Sequence, residues 1–299
     1  MAEIKTQDFT AASKAAINNP NLRRALDRVA SGFEVARLDR VAEATPKVWV
    51  RWKQEARDIK AHTIEHLDYY LELLYTNVTA AGGHLHFAKD AAQANEIVAH
   101  IARTRNVKIA TKSKSMVSEE LGLNPILEAV GVEVWETDLG EYIIQLAGDT
   151  PSHLVAPALH KSKEDVAELF AEKLGIPYDE DIFHMAATAR EVLRDKFMEA
   201  DLGISGANFV IAETGTLVII TNEGNGRLCT SAPRIHIGIT GMEKVIPSLQ
   251  DLSIFLRLLP QSATGQRITS YVSMTTGPRR SDDEEDRKST RLNSSHALI

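Results

Sequence analysis

The chain has 299 residues and one cysteine, Cys229, so it cannot build an internal disulfide framework. It has no apolar run near the ~18 residues that a membrane span requires. Its first ten residues are polar and lack the apolar core of a secretory leader. It has no excess of positive charge: the formal net charge is −7, which disfavours general nucleic-acid binding. Glycine is nearly absent at the start, with Gly32 alone before about residue 75. No internal repeat is present. What remains is ordinary for a globular protein: 43% hydrophobic and 25% charged residues, ample for a core. These features predict a cytoplasmic protein of one large domain, or of a domain with an extension.

Residues 1–75 are rich in Ala, Leu, Glu, Lys and Arg and read as a helical arm. Leu22, Ala25, Leu26 and Val29 share one helical face. Trp49, Trp52, Ile59, His62, His66, Tyr69 and Tyr70 predict a second long helix. His62 and His66 have a spacing that can chelate a metal on a helix, but no third ligand accompanies them. A packed or solvated pair is therefore the expectation, and no metal site is assigned.

From about Thr76 the texture alternates. Short apolar runs at His84–Phe87, Val107–Ala110 and Val132–Trp135 read as strands, with helices between them, as in a parallel βαβαβ unit. Further helices are expected from Ser162, stopped by Gly175 and Pro177, and over Met185–Met198. A last helix should end at Pro260, followed by a strand over Ile268–Val272. The fold class is therefore α/β. Residues 76–278 form the α/β domain, and 279–299, almost devoid of apolar residues until Ala297, should be disordered.

The stretch from Leu202 to Leu249 concentrates the chemistry. Phe209–Ala212, Leu217–Ile220 and Ile235–Ile239 read as buried strands, so the polar residues between them lie at strand ends, where α/β proteins place ligands. Glu213, beside a buried strand, needs a partner, for which Asn225, Arg227 and His236 are candidates. Gly215 permits a tight turn or a close approach to a ligand, next to Thr214. Earlier, Lys112-Ser113-Lys114-Ser115 between strand and helix reads either as an anion-binding loop or as a solvated basic turn. Glu136, Asp138 and Glu141 crowd another strand end, where carboxylates raise one another's pKa; a hydrated acidic turn is the alternative. His153 and His160 flank an apolar stretch and are expected to be structural. Cys229 has no nucleophile context.

Several of these motifs carry a resemblance: Lys112–Asn124, Glu136–Leu146, Pro151–Lys161, Gly203–Thr216 and Asn222–Arg227, with His236, Glu243-Lys244 and Thr264–Gln266. Together they resemble the LUD domain of the lactate utilisation protein B family, over about residues 10–280. The resemblance implies a Rossmann-like, mostly parallel sheet with flanking helices, related to the NagB/RpiA/CoA-transferase group. It implies a role in oxidising L-lactate to pyruvate as one subunit of an iron–sulfur, non-flavin complex, with the other lactate-utilisation subunits as partners. Full-length members are expected to hold two 4Fe–4S clusters in a C-terminal ferredoxin-like region. A four-iron cluster needs about four thiolates, so no cofactor is expected in this chain. Its tail resembles foreign read-through, and the expectation is a truncated sequence, inactive alone.

The site residues assigned from sequence are then Lys112, Ser113, Glu136, Asp138, Thr214, Gly215, Asn225 and Arg227 as ligand contacts. Lys112 and Arg227 would hold a carboxylate or phosphate, and Glu213 or His236 would transfer protons. Two alternatives stand beside this: an inert docking scaffold for partner subunits, and a carboxylate- or CoA-binding domain. CoA transfer by a Glu213 nucleophile follows only from fold analogy.

Overall fold

The computed structural model describes residues 9–149, 151, 156–278 and 294–298. Four helices open the chain: α1 (Phe9–Asn18), α2 (Pro20–Ala44), α3 (Pro46–Glu65) and α4 (Leu67–Ala80). The expected single helix through the tryptophans, histidines and tyrosines is broken at His66, where φ is −117° and ψ 36°. After α4 the strands β1 (His84–His86), β2 (Ile109–Lys112) and β3 (Glu133–Glu136) alternate with α5 (Ala91–Thr104), α6 (Met116–Glu120) and α7 (Leu123–Ala129). Then come α8 (Leu139–Ala147), α9 (Lys163–Leu174) and α10 (Ile182–Glu199).

The next elements are β4 (Leu202–Gly206), β5 (Phe209–Ile211), β6 (Thr216–Thr221), α11 (Asn225–Ser231), β7 (Ile235–Ile239), β8 (Val245–Ile246), α12 (Leu249–Ala263), β9 (Tyr271–Thr276) and β10 (Ser294–Leu298). The main sheet is parallel throughout, in the order β1-β10-β7-β4-β2-β3. One face carries Ala110, Val134, Leu202, Ile204, Ile235, Ile237 and Ile239 against Val98 of α5 and Leu127 of α7. Burying side chains of this size contributes about 1.5–3 kcal/mol each. On the other face α8, α9, α10 and α11 pack through Tyr142, Phe170, Leu193, Phe197 and Cys229. Helix α9 starts with a reciprocal Ser162–Asp165 capping box and stops at Gly175, whose φ of 67° suits glycine.

A second sheet, in the order β8-β5-β6-β9, was not foreseen. The runs expected as buried strands, Phe209–Ala212 and Leu217–Ile220, pair antiparallel as a hairpin outside the parallel sheet. Gly238 of β7 accommodates the Leu217 side chain of β6, so the sheets meet at a point with no room for a Cβ. Two boundaries also differ. Helix α12 continues through Pro260 to Ala263. The last strand of this region begins at Tyr271 rather than Ile268, which is 79% exposed.

Most of the tail predicted to be disordered, 279–293 and 299, lies outside the described residues. Within it, Ser294–Leu298 is a strand between β1 and β7. A parallel ladder is formed by backbone N–H and C=O groups, so a segment of weak side-chain preference can still occupy it.

Candidate functional site

Strand order decides where a cleft opens. From β2 the chain moves outward to β3, whereas from β4 it moves the other way to β7. The loops after neighbouring β2 and β4 therefore diverge. A crevice at such a switch point, outside the carboxyl ends of the strands, is the usual ligand position in open α/β sheets. A cleft of about 680 Å³ lies there. Its floor is Ser113–Val117 after β2, Asp138 after β3, Gly206–Asn208 after β4 and Ile239 of β7. Its far wall is the second sheet and α12, through Phe209, Ile219, Ile220, Phe255 and Leu259.

Of the residues assigned from sequence, Ser113, Asp138 and Asn225 line this cleft. Ser113 is 4% exposed, and among the described residues its hydroxyl has no partner in the chain. Asn225 opens α11, and its carboxamide is likewise uncommitted among the described residues. Asp138 is the N-cap of α8 and accepts from the backbone N–H of Gly140 (3.1 Å) and Glu141 (3.3 Å). Residues without an assignment from sequence also line it: Lys60 from the helical arm, Asn208, Glu223, and the Phe209 and Phe255 rings. Lys60 lies far from the rest in sequence, and no local spacing announced it.

Lys112 and Glu136 lie beneath the floor rather than in it. Lys112 is 0% exposed and makes an ion pair to Glu136 (2.8 Å) and a second to Glu119. Burial alone would lower the ammonium, but the two glutamates overcome it and hold its pKa above the ordinary lysine value. Asn124 donates to Glu136 at 2.7 Å, and the other Glu136 oxygen has no partner. Glu141 completes the group. Burial first, then the Glu136 charge, push its pKa up to about 8. At neutral pH it is therefore a carboxylic acid able to donate to Glu136.

Glu213, Thr214, Gly215, Arg227 and His236 are not brought together. Glu213 is exposed, and its carboxylate accepts from Leu249 N–H (3.0 Å) at the start of α12, not from Asn225, Arg227 or His236. The hairpin turn faces α4, far along the chain, and that helix sets its environment. Asn77 donates to the carbonyls of Ala212 (2.8 Å) and Glu213 (2.9 Å). A Cβ on Gly215, whose φ is 68°, would stand 2.7 Å from the Val78 nitrogen. Close approach does require this glycine, but to a helix. Thr214 hydrogen-bonds Thr216 at 2.7 Å. A nucleophilic Glu213 would have to give up its bond to α12.

Arg227 is exposed and lines a separate groove of about 520 Å³ with β9. His236 is 1% exposed inside the main sheet, 2.7 Å from the Ser205 hydroxyl, with Nδ1 unpartnered. Burial lowers its pKa to about 4, so the ring is neutral. His160 pairs with Asp149 at 3.0 Å, and His153 lies outside the described residues. His62 bonds the Tyr70 hydroxyl at 2.9 Å and packs on His66. Cys229 is fully buried, and burial pushes its thiol up to about 12. It is the only thiol, so this chain cannot supply the ligand set of a four-iron cluster. Among the described residues no helix is long and apolar enough to cross a membrane.

Residues 71–294 match the profile of the LUD domain. The chain is 44% identical over 278 residues to lactate utilization protein B of Bacillus licheniformis, an alignment covering 93% of this chain and 58% of that protein. It is 47% identical over 238 residues to lactate utilization protein B of Geobacillus thermodenitrificans, covering 79% of this chain and 50% of that protein. The chain thus spans about half the length of the curated relatives it matches. A crystal structure of a DUF162 family protein from Deinococcus radiodurans aligns with 78% of this chain and 97% of that one, at 11% identity and a TM-score of 0.41.

Proposed function

The chain belongs to the LUD-domain family, and from that premise we propose that it acts in lactate utilisation, as the α/β domain of a longer protein whose cleft binds an organic anion. The observation that carries the binding role is the switch-point cleft, with Ser113 and Asn225 uncommitted beside Lys114. The lactate role rests on the names of the relatives. In this reading L-lactate oxidation to pyruvate and electron transfer belong to the full-length protein and the other subunits of a lactate-utilisation complex. The two 4Fe–4S clusters are assigned to parts of the full-length protein outside this chain, and Cys229 has no share in them.

Thermal unfolding with L-lactate, pyruvate and a CoA ester tests the binding role. A ligand that binds only the folded chain raises the melting temperature by mass action. Lys114→Ala with Asn225→Ala should abolish that rise. If none of the three ligands shifts the wild-type melting temperature, the binding role fails.

A second reading, a docking scaffold for partner subunits, is favoured by one observation. Ile64 and Tyr69 are each 59% exposed and Tyr75 51%, an apolar surface on α3 and α4. Stabilisation by partner subunits, lost on Ile64→Ser with Tyr69→Ser, would support it.

A further inference from the structure

Strand β9 ends the second sheet and, among the described residues, pairs with β6 alone. Its far edge presents a row of backbone N–H and C=O groups with no strand beside them. Such an edge templates pairing with another chain, and proteins ordinarily blunt it with lysine, proline or a bulge. β9 carries none of these. Its sequence, Tyr271-Val272-Ser273-Met274-Thr275-Thr276, is uncharged, and its register on β6 runs unbroken from Tyr271 to Thr276. Tyr271, Val272 and Met274 are all exposed. Side chains alternate along a strand, so Val272 and Met274 share one face and Tyr271 takes the other.

A groove of about 520 Å³ follows this edge. β9 and Pro278 line one side, and Arg227, Thr230 and Ser231 of α11 line the other. No residue of β6 lines it, so the groove runs beside the sheet rather than over its face. It shares no lining residue with the switch-point cleft. The Thr230 and Ser231 hydroxyls donate to the Arg227 carbonyl, at 2.9 and 2.8 Å. The Arg227 guanidinium is exposed and has no ion-pair partner among the described residues. It is the one charged side chain of the described lining, in a chain of net charge −7. Charge therefore selects the occupant. A second copy would offer the same uncharged β9, with no carboxylate for Arg227.

We propose that an extended, acidic segment of another protein adds to the second sheet as a strand beside β9, with a carboxylate paired to Arg227. Main-chain bonds to the open edge supply affinity, and the side chains flanking it supply selectivity. Val272 and Met274 meet apolar residues on one face of the added strand, and Arg227 fixes where its acidic residue lies.

Fluorescence polarisation of the full chain with labelled Thr-Val-Thr-Val-Thr-Val, and with versions carrying glutamate at each position in turn, tests this. At one position or more, glutamate should tighten binding roughly two- to fivefold, the gain of an exposed ion pair. Arg227→Ala, at an exposed position, should erase that gain and leave the uncharged peptide unchanged. Prolines at adjacent positions of the peptide should abolish binding, because one of them removes a donor to β9. Amide exchange within Tyr271–Thr276 should slow when peptide binds. Failure of every peptide to bind, or binding without slower exchange in β9, overturns the inference. So does a glutamate gain that survives Arg227→Ala. Exchange in β9 that slows with protein concentration alone makes a second copy the occupant and overturns it as well.

Discussion

Lys112 and Glu136 are register partners on neighbouring parallel strands, and their side chains meet 2.8 Å apart in the interior, directly beneath the cleft. The contact is a consequence of sheet register. It brings together two residues from different motifs of the sequence and leaves one charged group dependent on the other. Removing one partner of a buried pair costs roughly 3–5 kcal/mol, whereas replacing both with apolar groups of similar volume is often neutral. Lys112→Met should therefore lower stability in urea by about that amount, and Lys112→Met with Glu136→Leu should recover most of it. A double variant no more stable than Lys112→Met would refute the pairing as the reason for the loss.

Glu141 should make stability fall with rising pH. Its folded pKa of about 8 stands above the ordinary 4.5, so between those values the folded chain holds a proton that the unfolded chain has released. Its contribution is fully present below about 4.5 and is lost as pH rises through 8. Glu141→Gln mimics the protonated acid and should remove this slope. Unfolding free energies at pH 5, 7 and 8.5 check it: the variant should gain on the wild type as pH rises.

His236 acts with the opposite sign. Its pKa is about 4 in the folded chain against 6.5 ordinarily, so the unfolded chain takes up a proton first. The stability due to a neutral His236 is present above 6.5 and is lost as pH falls toward 4. His236→Gln should lose less stability than the wild type between pH 7 and pH 5. Ser205→Ala should cost roughly 1–3 kcal/mol at pH 7, because it leaves a buried ring nitrogen unpaired.

Gly203 lies under α11 at the Cys229 carbonyl, where an added Cβ would fall inside that backbone group. Gly203→Ala should cost roughly 1–3 kcal/mol or more through overpacking. Gly224→Ala, where nothing lies within 4 Å, serves as the control. Equal melting temperatures for the two variants would contradict the packing.

Strands β1, β2, β3 and β7 of the parallel sheet were legible because they are short apolar runs, and periodicity reports local burial, whereas β4 and the tail strand β10 were not read as strands. Val132–Trp135 and Ile235–Ile239 needed nothing more. The hairpin of the second sheet carries the same apolar signal, and pattern alone does not say which sheet a strand joins. For the same reason Glu213 looked like a site residue: a carboxylate next to a buried strand does need a partner, but the partner is the first turn of a helix 36 residues away. Asp138 was legible as a strand-end carboxylate, yet its work as a cap depends on the helix after it. Arg227 and Asn225, two residues apart, were expected in one site. On a helix such a separation turns them to different faces, and they open onto different grooves. The register of β2 on β3 and the approach of α3 to the cleft are long-range facts that one sequence does not carry.

The Lys60 ammonium of α3 reaches the carbonyls of Glu243 and, at 3.0 Å, Val245, and so fastens the helical arm to the segment at the cleft's edge. That bond lies at the edge of a packed interface, in which Trp52, Ala56 and Ile59 of the arm meet Ile211, Ile246, Leu252 and Phe255. The arm and the cleft rim are therefore joined by an apolar contact and, at its edge, a polar pin. A protein that grips α3 from outside would press on the same side chains, Phe209 and Phe255 among them, that wall the cleft.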